Sequence, residues 1–145
     1  MWELVNKTTL DHNSVYKYIM MTNYFKETCV VAKIDHKLVG FITGFIAPNK
    51  PDTVFVWQIG VDPEYSNKGI GSQLLDQLTK QIKDKDIDFL EATITPSNKA
   101  SQALFKKFAF KQEANCQIVS FLTTDLFPDQ EQYEEELLFQ IGPLT

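Results

Sequence analysis

The sequence predicts an α/β fold, because apolar strand patterns alternate with amphipathic helix patterns along its 145 residues. A strand from Thr53 to Val61 leads into a glycine-rich turn, and the turn opens a helix from Ile70 to Lys83. A second strand, Phe89 to Thr95, leads through Pro96-Ser97-Asn98 into a helix from Lys99 to Phe108. Two successive units of strand, turn and helix indicate a sheet that is covered by helices.

The other predicted elements are two N-terminal helices, a hairpin and two C-terminal strands. They span, in chain order, 2–7, 15–24, 29–34, 38–47, 117–122 and 136–141. The strand from Thr53 to Val61 is apolar enough to predict burial on both of its faces. An acidic loop from Thr123 to Glu135 separates the last two strands, and loops of that length in compact domains commonly carry function.

Composition and charge limit the classes of function that we expect for the protein. The chain is long enough for one domain with its own core, has 43% hydrophobic residues and carries a net charge of −5. An acidic chain offers no electrostatic case for nucleic acid, and no apolar run approaches the roughly 20 residues of a membrane helix. The two cysteines lack metal-ligand spacing. We therefore expect a single cytoplasmic domain spanning residues 1–145, with small-molecule partners and no metal.

The turn Lys68-Gly69-Ile70-Gly71 predicts a binding site for phosphate. Glycine lets the backbone approach a ligand closely, and the first N–H groups of the following helix attract an anion. A Gly-x-Gly turn is also common as a simple tight turn, so the strand before it and the helix after it carry this prediction.

Together these features resemble the GNAT superfamily of acetyl-CoA-dependent N-acetyltransferases. Its signature is Gln/Arg-x-x-Gly-x-Gly/Ala at a helix start and a later Asn-x-x-Ala-x-x-Leu-Tyr/Phe, which Asn98 to Phe105 matches with Ala displaced by one. The resemblance implies a mixed, mostly antiparallel sheet with helices on both faces and two splayed parallel central strands. We expect the first strand of that fold to be absent from this sequence, because a helix pattern begins at Trp2. Either the sequence starts late relative to the family, or the sheet lacks that edge strand.

Further segments resemble the L-2,4-diaminobutyrate acetyltransferase family over nearly the whole chain, from about Trp2 to Pro143. They are 10–16, 28–32, 51–53, 56–58, 95–98, 100–101, 125–128 and 136–143. The resemblance implies transfer of the acetyl group of acetyl-CoA to the γ-amine of diaminobutyrate, giving N-γ-acetyl-diaminobutyrate for ectoine synthesis. Enzymes of this kind are often homodimers.

The resemblance also implies the residues that bind acetyl-CoA. They are Gln58, Ile59, Gly60, Val61, Asn67, Lys68, Gly69, Ile70, Gly71, Ser72, Asn98, Ser101 and Phe105. The strand 58–61 pairs with the pantetheine arm in the family. Gly60 permits a bulge or the close approach of that arm, or alternatively it only accommodates core packing. Ser66 and Asn67 replace the usual Gln/Arg and Gly, and Phe105 replaces a tyrosine that many relatives use as an acid.

The acceptor carries two ammonium groups, which call for carboxylates and for a base that removes a proton. The implied substrate-binding residues are Asp11, Asn13, Tyr16, Trp57, Tyr133, Glu134 and Glu136, of which Asp11, Trp57, Glu134 and Glu136 are the catalytic candidates. Tyr133 replaces a histidine of the family. Trp57 is equally compatible with a core position, and the acidic run with a solvated surface.

Two other functions remain open from the sequence. The same fold acetylates other amines, so the acceptor is alternatively a polyamine, an aminoglycoside or a peptide N-terminus. The replacements at Ser66, Asn67 and Phe105 alternatively favour a non-catalytic domain that binds acetyl-CoA. The segment from Asp11 to Tyr16 and the acidic C-terminal stretch favour a small dicationic acceptor.

Overall fold

The computed structural model of the protein describes residues 1–8, 10, 12–128 and 133–144. Asp11, the first catalytic candidate, and residues 129–132 of the acidic loop lie outside the described residues. The chain groups into two compact units, Met1–Ile87 and Asp88–Thr145. That these units form a single acetyltransferase domain stays a prediction.

The first unit contains three antiparallel strands and three helices. Its elements are α1 (Trp2–Val5), α2 (Val15–Tyr24), β1 (Val30–Ile34), β2 (Lys37–Ile46), β3 (Thr53–Val61) and α3 (Ile70–Gln81). The strands follow the order β1-β2-β3, and the β1–β2 hairpin turns at Asp35 and His36, both with positive φ. The predicted helical start and hairpin are confirmed.

Local chemistry explains where these helices begin and which faces they bury. The Ser14 hydroxyl accepts a hydrogen bond from the Lys17 N–H at 3.4 Å and so caps α2. Helix α3 buries its predicted stripe, Leu74, Leu75 and Leu78. A separate cluster of Leu4, Val5, Tyr18 and Phe41 joins α1 and α2 to strand β2.

Strand β3 contains a bulge that the apolar pattern did not reveal. Thr43 lies opposite Gln58 whereas Gly44 lies opposite Val56, so Trp57 is an extra residue without a partner in the β2 register. Trp57 is 45% exposed. The expectation that β3 is buried on both faces is therefore wrong. Val54, Val56, Gln58 and Gly60 are buried, whereas the alternate residues Phe55, Trp57, Ile59 and Val61 are only partly covered or exposed.

The second unit contains β4 (Phe89–Ile94), α4 (Lys99–Lys111), β5 (Asn115–Leu122) and β6 (Glu136–Gly142). Its strands are antiparallel in the order β4-β6-β5. Helix α4 reaches Lys111 rather than the predicted Phe108, and it starts where the Asn98 side chain accepts from the Ser101 N–H at 3.1 Å. The α/β class is confirmed. No helix among the described residues is long and apolar enough to cross a membrane.

Candidate functional site

The glycine turn has the backbone that the phosphate-site prediction requires. Asn67 and Gly69 both have positive φ, 59° and 78°, and asparagine tolerates this conformation better than most residues. No side chain of the described residues caps the start of α3 at Gly69. A Cβ built at Gly69 meets no atom within 4 Å. The first N–H groups of this twelve-residue helix thus have no side-chain cap among the described residues, and an anion could accept from them.

A buried carboxylate, which the sequence analysis did not identify, holds the segment just before this turn. Asp62 is 1% exposed and accepts from the Glu64 N–H at 3.0 Å, capping the 3-10 turn Pro63–Tyr65. The Nζ atoms of Lys7 and Lys37 each lie 3.6 Å from its Oδ2. The Glu64 N–H, followed by the two lysines, holds the pKa of Asp62 below its usual value. Aspartate before proline is the sequence signal of such a cap.

Two side chains next to the turn have their own partners. The Ser66 hydroxyl donates to the Pro63 carbonyl at 2.9 Å, so it completes the 3-10 turn in place of a ligand-facing Gln or Arg. The Lys68 Nζ lies 5.5 Å from the centre of the Tyr65 ring. The positive charge of Lys68 thus lies beside the start of α3.

Gly60 serves packing rather than a bulge. A Cβ at this position would lie 3.0 Å from Phe41 Cε1 and 3.0 Å from Leu10 Cδ1. The bulge of β3 lies at Trp57 instead. Gly60 therefore accommodates close core packing, and its place beside the pantetheine arm stays a prediction.

The bulge gathers side chains from β3 and α2 into one cluster, here called the Lys17 cluster: Lys17, Tyr18, Trp57 and Gln58. Lys17 Nζ lies 2.7 Å from Gln58 Oε1 and 4.0 Å from the centre of the Trp57 ring. The Tyr18 hydroxyl donates to the same Gln58 oxygen at 2.9 Å. Neighbouring residues of a regular strand point to opposite faces. Lys17 reaches both Trp57 and Gln58 because the bulge redirects one of them.

The surroundings of this cluster alter three pKa values. Burial lowers the pKa of Lys17 to about 8, with a small opposing effect of Cys29. Burial raises the pKa of Tyr18, and its side-chain hydrogen bonds with Asn13 and Gln58 oppose this shift. Burial also raises the pKa of the Cys29 thiol. Within the described ranges, no carboxylate lies at ion-pair distance from the Lys17 ammonium. The sequence analysis missed Lys17, although a lone lysine inside the apolar helix 15–24 was a signal.

Two other residues that are predicted to bind the amine substrate lie at the start of α2. Asn13 hydrogen-bonds the Tyr18 side chain and is thereby linked to the Lys17 cluster. Tyr16 is 67% exposed. The structure brings Asn13, Trp57 and Gln58 together, whereas it leaves the Tyr16 ring largely in solvent.

In the second unit, the predicted acidic residues have distinct surroundings. Glu134 accepts from the Ser97 N–H at 3.2 Å and from the Ser97 hydroxyl, which ties it to the residue before the Asn98 cap. Tyr133 stacks on Phe127 with ring centres 4.6 Å apart. Glu136, the first residue of β6, is half-buried opposite Leu122. Glu134 thus contacts the residue that precedes Asn98, whereas Glu136 belongs to the sheet.

Phe105 is a buried residue of α4. It is 1% exposed on α4, beside the buried Phe108 and Ala109. A tyrosine hydroxyl at this position would need a buried partner. In the described part of the chain, no group of three or more His, Cys, Asp or Glu side chains is placed to hold a metal ion.

Residues 1–110 match the family model described as the acetyltransferase (GNAT) family. The chain is 59% identical over 145 residues to the L-2,4-diaminobutyric acid acetyltransferase of Marinococcus halophilus, covering 100% of this chain and 84% of that protein. It is 55% identical over 144 residues to the enzyme of the same name from Halalkalibacterium halodurans, covering 99% and 76%.

Solved structures give the same result. Diaminobutyrate acetyltransferase EctA from Paenibacillus lautus, in complex with its substrate L-2,4-diaminobutyric acid and coenzyme A, superposes with a TM-score of 0.93 at 38% identity, over 98% of this chain and 86% of that one. Ard1 from Thermoplasma volcanium superposes with a TM-score of 0.81 at 15% identity, over 98% of this chain and 88% of that one. At this identity the likeness shows the fold alone. The chain belongs to the GNAT acetyltransferases and, within them, to the L-2,4-diaminobutyric acid acetyltransferase family.

Proposed function

We propose that the protein transfers the acetyl group of acetyl-CoA to the γ-amine of L-2,4-diaminobutyrate. The observation that carries this proposal is the 59% identity along the whole chain to an enzyme named for that acceptor. The product, N-γ-acetyl-diaminobutyrate, would serve ectoine synthesis, as in the family that the sequence resembles. The protein would work in the cytoplasm, where its two free thiols stay reduced, and as a homodimer.

The donor would bind at the glycine turn and along β3. Backbone N–H groups of residues 67–72 would donate to the pyrophosphate, with Gly69 holding the left-handed conformation that opens α3. Lys68 would add a positive charge next to Tyr65. The strand segment 58–61 would pair with the pantetheine arm, and a backbone N–H there would stabilise the developing oxyanion. Asn98, Ser101 and Phe105 would contribute from α4.

The acceptor would need a carboxylate environment and the loss of a proton. An alkyl ammonium has a pKa of about 10.4, so it becomes a nucleophile only when a base or water takes a proton. Asp11, Glu134 and Glu136 are the proposed carboxylates, with Trp57 as the wall of the pocket. Asn13, Tyr16 and Tyr133 would complete it. Glu134 already accepts hydrogen bonds from Ser97, so it would act while held in place.

A thiol-release assay separates this function from the two alternatives. Purified protein is given acetyl-CoA with diaminobutyrate, a polyamine, an aminoglycoside or a peptide, and free CoA is measured over time. Diaminobutyrate should give the highest kcat/KM, and mass spectrometry should show one added acetyl group on the γ-amine. A preferred polyamine or peptide would contradict the acceptor, and CoA binding without turnover on any amine would indicate a non-catalytic domain.

The donor site is tested at Gly69. Gly69→Glu should lower the affinity for CoA at least about 100-fold, because a carboxylate would face the phosphates at a helix start. Gly69→Ala is the matched control, since it imposes the same backbone strain at a φ of 78° without charge, and it should cost less than about tenfold. Calorimetry with CoA measures both. A folded Gly69→Glu protein with the wild-type affinity would exclude this site.

A further inference from the structure

Lys17 is a positive charge that the described fold positions but does not neutralise. Its Nζ is fixed between the Gln58 amide oxygen at 2.7 Å and the Trp57 ring at 4.0 Å. An ammonium has three N–H donors, and among the described residues only Gln58 offers them an oxygen acceptor within hydrogen-bond distance. A half-buried cation with donors left over is suited to receive an anionic ligand group.

The proposed acceptor brings such a group. Diaminobutyrate carries a carboxylate in addition to its two amines, and a carboxylate that leaves water without a partner is costly. The residues proposed for its pocket are acidic or neutral: Asp11, Asn13, Tyr16, Trp57, Tyr133, Glu134 and Glu136. Three carboxylates in that set would repel the substrate's own, so a cation from outside the set would favour recognition of an amino acid.

The position of the Lys17 ammonium determines which charged group of the substrate can bind beside it. Its ammonium lies over the Trp57 ring, and it would repel any second ammonium brought to the same face. A carboxylate at this point would gain a charge-assisted hydrogen bond instead. Tyr16, the preceding residue, belongs to the segment already proposed to line the pocket.

We propose that the Lys17 ammonium binds the α-carboxylate of the acceptor and thereby makes the enzyme select a diamino acid over a plain diamine. This inference rests on the proposed function and adds a residue that determines specificity. Trp57 and Gln58 hold the ammonium in place, and the bulge in β3 allows both to reach it.

The test compares L-2,4-diaminobutyrate with 1,3-diaminopropane, which is the same molecule without its carboxylate. The quantity measured is the ratio of kcat/KM for the two acceptors, or of inhibition constants where diaminopropane turns over too slowly. Lys17→Met should lower the ratio by about 30-fold or more, the loss expected when a buried charge pair is broken. Lys33→Met, at an exposed lysine of β1, is the matched control and should leave the ratio within about threefold.

Each other outcome has a defined meaning. A ratio unchanged in Lys17→Met, or a wild-type enzyme that uses both acceptors equally, would overturn the role of Lys17 while leaving the acetyltransferase intact. A wild type that acetylates neither acceptor would overturn the proposed function instead. Unfolding temperature and CoA affinity are measured alongside. If Lys17→Met does not fold, Lys17→Gln keeps a polar side chain and carries the same test.

Discussion

Lysine side chains of the first unit have two contrasting environments. Lys7 and Lys37 lie 3.6 Å from the buried carboxylate of Asp62. Lys17 instead lies against an aromatic ring and an amide oxygen, and its pKa is lowered to about 8. Where a cation has a carboxylate in the fold, its charge serves the structure. Where it has none among the described residues, the charge remains available to a ligand.

The largest expected effect comes from removing the ring beneath Lys17. Trp57→Ala should lower kcat/KM for diaminobutyrate about 100-fold, because it removes a wall of the pocket and frees the ammonium from its position. The fold should be affected little, since Trp57 is 45% exposed. Steady-state kinetics and thermal unfolding measure the two effects. Tyr24→Ala, at an exposed aromatic residue of α2, is the control for the loss of a surface ring. An equal loss of kcat/KM in both variants would contradict a specific role of Trp57.

Removing the charge of Asp62, the partner of Lys7 and Lys37, should lower stability without changing which acceptor the enzyme prefers. Asp62→Asn should lower the unfolding temperature by about 2–5 °C, because two lysines lose their counter-charge and the 3-10 turn is held less well. The ratio of diaminobutyrate to diaminopropane activity should stay at its wild-type value. A changed ratio would show that Asp62 also shapes the acceptor pocket.

The contribution of Asp62 to stability should decrease at acid pH. The folded pKa of Asp62 is below its reference of 3.8, so its contribution is present above about pH 4 and disappears as the pH falls through the folded pKa. The unfolding temperatures of wild type and Asp62→Asn should therefore converge between pH 5 and about pH 2. Curves that remain parallel over that range would argue against the ionised pair.

The smallest expected effect is a change in the stability difference between wild type and Lys17→Met at alkaline pH. The amine has a pKa of about 8 in the folded state and 10.5 as its reference, so the unfolded chain binds more protons between these values. Wild type should then gain stability relative to Lys17→Met as the pH rises from 8 to about 10, by a modest amount because the side chain is partly exposed. Parallel unfolding curves would contradict the lowered pKa.

Local signals account for what the sequence predicted well. Helix α2 runs from Val15 to Tyr24 and strand β3 from Thr53 to Val61, as predicted, because a serine cap and an apolar strand bounded by turns are encoded in neighbouring residues. The glycine turn was found for the same reason, since its geometry depends on the residue types within it.

Long-range pairing accounts for what was missed. The bulge at Trp57 depends on how β3 registers with β2, and a single strand's pattern does not contain that information. Lys17 belongs to the cluster only because the bulge brings Gln58 and Trp57 within its reach. Asp62 is paired with Lys7 and Lys37, which come to it from distant parts of the chain. The roles proposed for Glu134 and Glu136 stay predictions.

The contact between Lys17 and Trp57 also gives the protein an optical reporter. An indole with a positive charge 4.0 Å from its ring centre lies in a strong local field, and its emission energy shifts when that charge is lost or compensated. The chain contains two tryptophans, Trp2 and Trp57. With Trp2 replaced by phenylalanine, the colour of the remaining fluorescence would follow the state of the ammonium without any added dye.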